Sequence, residues 1–304
     1  MKILLLFPMA DGQTGPAIKY AFRCLGHDVW SVDAKLDWQD SYNVSLRVEP
    51  DLVFCSRTEL LTNEVRKIKR VFSNATVCMW NVDTRTNIDD WRHLFPLIDI
   101  CDYHFVPDSE TISQWRKLTP NTFWLPQGLQ DEIYNRPERI TEEDRKKYSC
   151  DVCWAGDIEG VHGFRKSFLE AIKQTGVKFK QWGCRGNSRI YNEEHNKMVA
   201  LSKINLGCSG WPENKKYTSV RDYKIMGAGG FLLELYREGL YGIFPSNTID
   251  SYRDVNELKK KIEYWLNCDE ERKILAEVGC RWVHENATYT HRIRMALEYM
   301  EGKS

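Results

Sequence analysis

From Tyr217 to Leu235 the chain reads Tyr-Thr-Ser-Val-Arg-Asp-Tyr-Lys-Ile-Met-Gly-Ala-Gly-Gly-Phe-Leu-Leu-Glu-Leu. Thr218 and Ser219 are N-cap residue types, and Val220, Tyr223, Ile225 and Met226 follow at helical spacing. A helix start of this kind offers unbonded N–H groups and a cap hydroxyl, and Arg221 adds a guanidinium in the first turn. Those are the groups that hold a phosphate. The same segment also reads as a helix capped for stability alone. The spacing predicts a helix of about three turns, a stop at Gly229-Gly230 and a buried strand from Phe231 to Leu235.

Other residues with chemical potential fall just after apolar runs. Gly156 follows the run Val152 to Ala155, and Arg165 stands near the start of the next helix; together they offer a close backbone approach and a cation for an anionic ligand. A tight turn and a surface arginine are the plain alternative. Trp182-Gly183 closes another run, and its indole can stack on a planar ligand or pack under its own loop. The loop Gly207 to Tyr217 brings Lys215 and Lys216 toward the same end. Asp83, Asp11 and His104 lie at or beside strand ends, where a carboxylate or imidazole can serve as a general base. Asp83 also reads as a helix cap, and His104 as a satisfied buried histidine. No Asp-x-Asp occurs, and Asp89-Asp90 and the pair Asp99 and Asp102 are wrongly spaced for a metal–diphosphate clamp, so no metal is expected.

Positioning these residues requires a repeated alternation of strands and helices. Ile3 to Phe7, His27 to Val32, Pro50 to Cys55, Ala75 to Trp80, Tyr103 to Val106 and Asn121 to Leu125 read as six strands, with helices from Ala17 to Leu25 and Thr58 to Arg70. Pro126-Gln-Gly128 marks a change, and the polar stretch Leu129 to Lys147 reads as a linker with a first surface helix. A second alternation follows: strand Cys150 to Ala155, helix Phe164 to Thr175, strands Lys178 to Trp182 and Ile204 to Cys208, and then the Tyr217 segment. Helices from Val255 to Asn267, from Glu270 to Glu285 and from about His291 to Met300 complete the chain. Two doubly wound parallel sheets are expected, with ligands at the carboxyl ends of their strands and a cleft between the domains. The loop Asp11-Gly12-Gln-Thr-Gly15 lacks the glycine spacing of a dinucleotide fingerprint.

Composition narrows the function class. The 304 residues suffice for two domains, and 42% hydrophobic residues can fill two cores. Lys plus Arg and Asp plus Glu both number 43, so no global field draws in nucleic acid or an anionic membrane. The ten cysteines, Cys184 and the Cys150-x-x-Cys153 pair among them, mostly sit inside apolar runs and read as reduced, buried hydrophobes. On a strand the two thiols of that pair face opposite ways, against a zinc or redox role. No run approaches a membrane span, and Lys2 to Phe7 is too short for a signal segment, so a cytoplasmic protein is expected.

One pattern is more specific. Arg221-x-Tyr223-x-x-Met226-x-x-Gly229-Gly230-Phe231-Leu232-Leu233 is followed by Tyr252, Glu257-Leu258, Glu271-Arg272, Ala276-x-x-Gly279 and Thr288-Tyr289-x-x-Arg292. This resembles the C-terminal half of the CgeB-like (spore-maturation) glycosyltransferases of the GT-B superfamily. The likeness runs from about Tyr148 to the end, while the first half matches in element order. It implies an α/β GT-B fold of two Rossmann-like domains facing across a cleft: an acceptor domain, 1–128, onto which a last helix at about 290–304 packs back, and a nucleotide-sugar domain, 129–289.

The resemblance also implies roles. The donor would be a nucleotide sugar, UDP-linked first of all, used without metal and without a further cofactor, and the transferred group a hexose or pentose. Gly156, Arg165, Trp182, Gly183, Tyr217, Thr218, Ser219, Arg221, Lys224 and Glu234 would form the donor site, with the base near Trp182 and the diphosphate at the Thr218 to Arg221 helix start. Asp83, Asp11 or His104 would activate a saccharide, lipid or protein hydroxyl. One departure stands out: retaining relatives carry glutamates where this chain has Lys216 and Lys224, the later one on the ribose. A lysine ammonium cannot accept from a hydroxyl, so Glu234 or Asp222 must take over, or the donor is held differently. Two alternatives remain: transfer to a hydroxymethylated base in DNA, with Arg66-Lys-Ile-Lys-Arg70 tracking phosphates, and a nucleotide-binding module without catalysis.

Overall fold

The computed structural model describes residues 1–183 and 189–303, and the chain divides into two compact units. The first comprises Met1–Gln127 with Tyr289–Ser304, the second Gly128–Thr288.

The first unit is built on six parallel strands: β1 (Lys2–Phe7), β2 (Asp28–Asp33), β3 (Leu52–Ser56), β4 (Thr76–Trp80), β5 (Tyr103–Val106) and β6 (Thr122–Trp124), in the order β2-β1-β3-β4-β5-β6. The central strands are apolar on both faces because each face carries a core. Leu4, Leu6, Val53, Cys55, Val77 and Met79 pack with Val65 and Ile68 of the helix Thr62–Val71. On the other face Ile3, Leu5, Phe7, Phe54 and Phe105 pack with Ala17, Ile18 and Phe22 of the helix Thr14–Cys24, and with Tyr289, Ile293 and Ala296 of the last helix, Tyr289–Met300. That helix is tied back at its start: the Tyr289 hydroxyl donates to Gln127 Oε1 at 2.8 Å and Arg292 Nε to the Gln127 carbonyl at 2.8 Å.

The second unit has five parallel strands: β7 (Cys150–Ala155), β8 (Phe179–Trp182), β9 (Ser202–Gly207), β10 (Leu232–Leu235) and β11 (Asp250–Tyr252), in the order β11-β10-β9-β7-β8. From β7 the chain moves to β8 on one side and then returns to β9 on the other, so the order reverses between β7 and β9, the place where such sheets bind ligands. The helices Val255–Asn267 and Asp269–Asn286 follow.

Several expectations change in detail. The helix after Ser219 spans only Val220–Gly227, because Gly229 adopts a φ of 78° and turns the chain toward β10. The helix Asn192–Ala200 and strand β11 were not anticipated. Among the cysteines, seven are buried, but Cys24 is exposed and Cys268 half-buried, and Cys184 lies outside the described residues. Cys150 Sγ lies 3.3 Å from Ser202 Oγ. No described helix is long and apolar enough to cross a membrane.

Candidate functional site

A cavity of about 240 Å³ opens at the carboxyl ends of β7 and β8. Its floor is backbone. Ala155 and Trp182 are paired strand ends, and the Gly156 N–H donates to the Trp182 carbonyl at 3.0 Å. Gly183 turns away at a φ of 76°, and a β-carbon on it would sit 3.3 Å from the Gly156 nitrogen, so two glycines let the strand ends close on each other. Trp182, Tyr134, Ile190 and Tyr191 supply apolar wall, and Arg221, Lys224, Arg189 and His195 supply polar groups.

The cations are held by indoles and carbonyls rather than by carboxylates. Arg221 donates from Nε to the Ala155 carbonyl at 2.6 Å, and its guanidinium lies 4.4 Å from the centre of the Trp154 ring. Arg165, buried behind it, donates from Nη1 to the Asp157 carbonyl at 2.8 Å and stands 5.4 Å from the same ring. Trp154 is fully buried, and its Nε1 donates to the Gly156 carbonyl at 3.0 Å, so one indole supports both guanidiniums and the glycine turn. Lys224, one turn beyond Arg221, places Nζ 4.4 Å from the centre of the Tyr134 ring. Arg165, Arg221 and Lys224 make no ion pair with a carboxylate among the described residues.

Crowding of like charges in a buried place shows in their acidities. Burial, and then Arg221, draws Arg165 down to about 10 and Lys224 down to about 8. Burial, Lys224 and Arg221 draw His195 down to about 3, so its imidazole is neutral; Nδ1 has no partner and the ring packs edge-on to Tyr134 at 5.4 Å.

Of the residues singled out from the sequence, Gly156, Trp182, Gly183, Arg221 and Lys224 line this cavity. Arg165 backs it. Tyr217, Thr218 and Glu234 are buried outside the lining, in a polar cluster under the helix start, and Asp222 joins them there. Glu234 and Asp222 are 0% exposed, so neither reaches a ribose hydroxyl from its place in the fold. Ser219 is the N-cap residue, but its own hydroxyl caps nothing: Ser209 Oγ instead accepts the Ser219 N–H at 3.0 Å, and Thr218 Oγ1 donates to Asp222. Tyr134, Arg189, Ile190, Tyr191 and His195 escaped the sequence reading; they belong to or flank the polar helix Asn192–Ala200 or lie in the linker, where no periodic pattern singles them out.

In the first unit, Asp83 lies just past β4, half-exposed, and is ion-paired with Arg57, whose guanidinium sits 5.0 Å from the centre of the Trp91 ring. Asp11 is exposed in the turn after β1. His104 is 0% exposed with both ring nitrogens unpartnered, lies against Trp115 at 4.8 Å, and is drawn down to about 3 by burial. It has no access to an acceptor, and it is a buried histidine without the partners expected of one. In the basic run, Lys67 pairs with Glu64 at 2.7 Å and Lys69 with Asp102, while Ile68 is core.

A family model described as Glycosyl transferase-like matches residues 165–298. No curated protein sequence matches the chain. Among solved structures, Anabaena Alr3699/HepE in complex with UDP-glucose is similar over 99% of both chains, at 9% identity and a TM-score of 0.63. Sucrose-phosphate synthase from Thermosynechococcus elongatus is similar over 99% of both, at 12% identity and a TM-score of 0.66. The putative UDP-N-acetylglucosamine 2-epimerase from Listeria monocytogenes covers 100% of this chain with 97% of its own, at 10% identity and a TM-score of 0.58. At these identities the likeness speaks for the fold, which hosts more than one chemistry. The two parallel-sheet units and the likeness to these structures fit a two-domain Rossmann-like GT-B fold, and the Glycosyl transferase-like model falls mostly within the second unit.

Proposed function

We propose that the protein transfers a sugar from a UDP-sugar to an acceptor hydroxyl, as a member of the CgeB-like branch. The observation that carries this is the cluster of Arg165, Arg221 and Lys224 at a helix start and strand end, none of them ion-paired with a carboxylate among the described residues. Cations that are buried, as Arg165, or half-buried, as Arg221 and Lys224, and that lack an ion-pair partner call for an anionic ligand, and a diphosphate supplies the charge and the geometry. The aromatic wall of Trp182, Tyr134 and Tyr191 suits the planar base beside it. Anabaena HepE was solved with UDP-glucose, on the same fold.

In the reaction, Arg221 and Arg165 stabilise the negative charge gathering on the departing diphosphate, the role a divalent cation takes in other transferases, so the reading is metal-independent. The nucleotide sugar is a substrate, and no resident cofactor is invoked. Asp83 and Asp11 of the first unit are the candidates to take the acceptor proton, with Asp83 steered by Arg57. The transferred group is a hexose or a pentose. A saccharide, lipid or protein hydroxyl is preferred over a base in DNA, because Lys67 and Lys69 of the basic run are engaged with Glu64 and Asp102.

Titration calorimetry with UDP and UDP-glucose, in the presence of a chelator, tests the donor site. Wild type binds and Arg221→Ala loses about tenfold or more, the worth of a charge-assisted hydrogen bond. Equal binding by both proteins, or none by either, removes the reading. Binding without hydrolysis or transfer of the sugar points to the non-catalytic module.

A further inference from the structure

Beneath the start of the helix Val220–Gly227 lies a polar cluster closed to solvent: Asp222, Glu234 and Ser209 are 0% exposed, Thr218 1% and Arg237 2%. Its bonds connect strand to helix. Arg237 Nη2 and the Ser209 N–H both donate to Glu234 Oε1, the second at 3.0 Å. Ser209 Oγ, at 2.9 Å, and Thr218 Oγ1 donate to Asp222 Oδ2. Ser209 Oγ also accepts the N–H of Ser219, the N-cap residue, and Arg237 Nη1 holds the Tyr217 carbonyl.

After these contacts two oxygens are left without partners, Asp222 Oδ1 and Glu234 Oε2. The two carboxyl groups are within hydrogen-bonding reach of each other. Gly207 makes the room: a β-carbon there would stand 1.7 Å from Glu234 Oε2. Two ionised carboxylates facing each other in this enclosure are balanced by a single contacting guanidinium. One proton between them gives both stranded oxygens a partner and brings Asp222, Glu234 and Arg237 to zero net charge.

We propose that Asp222 and Glu234 share one proton and act as positioning residues for the anionic ligand, fixing through Ser209 and Ser219 the turn that presents Arg221. The proposal rests on the donor reading above, since Arg221 is what it positions. The other ionisable groups facing the pair are Arg237, Arg165 from the helix Arg165–Lys173, Cys208 after β9 and Tyr252 of β11. Burial first, and Glu234 among the rest, pushes the Cys208 thiol up to about 11 and the Tyr252 phenol well up, so both stay neutral; the Tyr252 hydroxyl donates to the Gly207 carbonyl at 2.9 Å. Glu234 itself is pushed up to about 7 by burial and then by Asp222, with Arg237 and the Ser209 N–H pulling the other way. When the proton leaves, two charges repel in the enclosure, Ser209 is released from its bridge, and Arg221 loses its register.

Glu234→Gln tests this directly. The amide oxygen keeps the bonds from Arg237 and Ser209, the amide N–H replaces the shared proton, and the net charge equals that of the protonated pair. Asp222→Asn supplies the same bond from the other side and must behave alike. UDP-glucose is the probe, because its diphosphate does not change charge between about pH 5.5 and about pH 7.5, and the onset of Lys224 titration at the upper end is common to wild type and variants. Wild-type affinity is expected to fall about fourfold across that range, while both variants stay within about twofold of their low-pH affinity. A flat wild-type profile, or a parallel fall in the variants, overturns the proposal.

Melting temperature without ligand is the second readout. A carboxyl raised in the folded state adds stability below its unfolded value near 4.5, lost as pH climbs through about 7, so wild type declines there and Glu234→Gln does not. If UDP-glucose binds at no pH, the donor reading has failed, and the melting profiles still decide whether the proton is shared.

Discussion

A β-carbon on Gly156 would lie 2.3 Å from Arg221 Nη2. The guanidinium therefore occupies the space that the absent side chain leaves, and it is pinned there by the Ala155 carbonyl and the Trp154 ring. Gly156→Ala must push Arg221 off both supports. UDP affinity is expected to drop about tenfold or more, on the scale of one lost charge-assisted hydrogen bond, while Gly160→Ala, where a β-carbon meets nothing within 4 Å and the φ of 54° costs local stability alone, leaves it within about twofold. Calorimetry on the two variants checks this, and equal affinities would show that Arg221 is not fixed by the glycine.

Lys224 gives a proton-linked prediction. Its folded value of about 8 lies below the ordinary lysine range, and an anion bound beside it favours the charged ammonium. At pH values near and above 8 UDP binding then takes up a proton, and affinity declines as pH rises further. Binding enthalpies measured at about pH 8.5 in buffers of different ionisation heat reveal the uptake, which vanishes in Lys224→Met. The sign for stability is the opposite: the unfolded chain holds this proton more tightly, so its contribution to stability grows from about pH 8 toward the unfolded value of 10.5.

Trp154 supports two guanidiniums and the turn at once, so its substitution separates packing from bonding. Trp154→Phe keeps an aromatic face but loses the bond to the Gly156 carbonyl, with an expected cost of about 1 kcal/mol in stability. Trp154→Leu also removes the surface under Arg221 and Arg165 and leaves a void, with about 3 kcal/mol lost and weaker UDP binding. Denaturant titrations rank the pair; an equal cost for both would mean that the indole face contributes nothing.

The last helix belongs to the core of the first unit. Tyr289, Ile293 and Ala296 pack with Phe105 and its neighbours, so a chain ending at Thr288 exposes the part of that sheet face which the helix Thr14–Cys24 leaves uncovered. Loss of a cooperative transition from the first unit is expected, seen as one missing step in thermal unfolding while the second unit still melts. Tyr289→Phe, which removes the hydroxyl that donates to Gln127, costs about 1 kcal/mol. A truncated chain that keeps both transitions would contradict this role.

The strands could be read because their burial follows from their place in the sheet. β1 lies between β2 and β3 with a core on each face, so Ile3 to Phe7 is apolar without alternation. The helix Asn192–Ala200 could not, because its buried face mixes His195 and Asn196 with Met198 and Val199 and so shows no apolar stripe, Asn196 Nδ2 bonding the Ile133 carbonyl at 2.8 Å. Arg221 and Gly156 were recognisable as a cation and a close turn, yet their shared support, Trp154, reads locally as one more strand residue. Glu234 misled for a related reason. A glutamate in an apolar strand suggests a ligand contact, and the arginine three residues later that meets it in the interior becomes visible only once β10 ends and the chain turns back.

The chain leaves the first unit after Gln127 and re-enters it at Tyr289, residues that are hydrogen-bonded to each other. Just inside the second unit, Leu129 and Thr288 form a bridge, with the Leu129 N–H on the Ala287 carbonyl at 2.8 Å. Beginning and end of the second unit thus emerge side by side, as the two leads of a plug. A segment with adjoining ends can be cut out, carried into another gene or replaced by a homologous one without pulling its host apart, so the second unit is built as an exchangeable cassette in a single loop of the first.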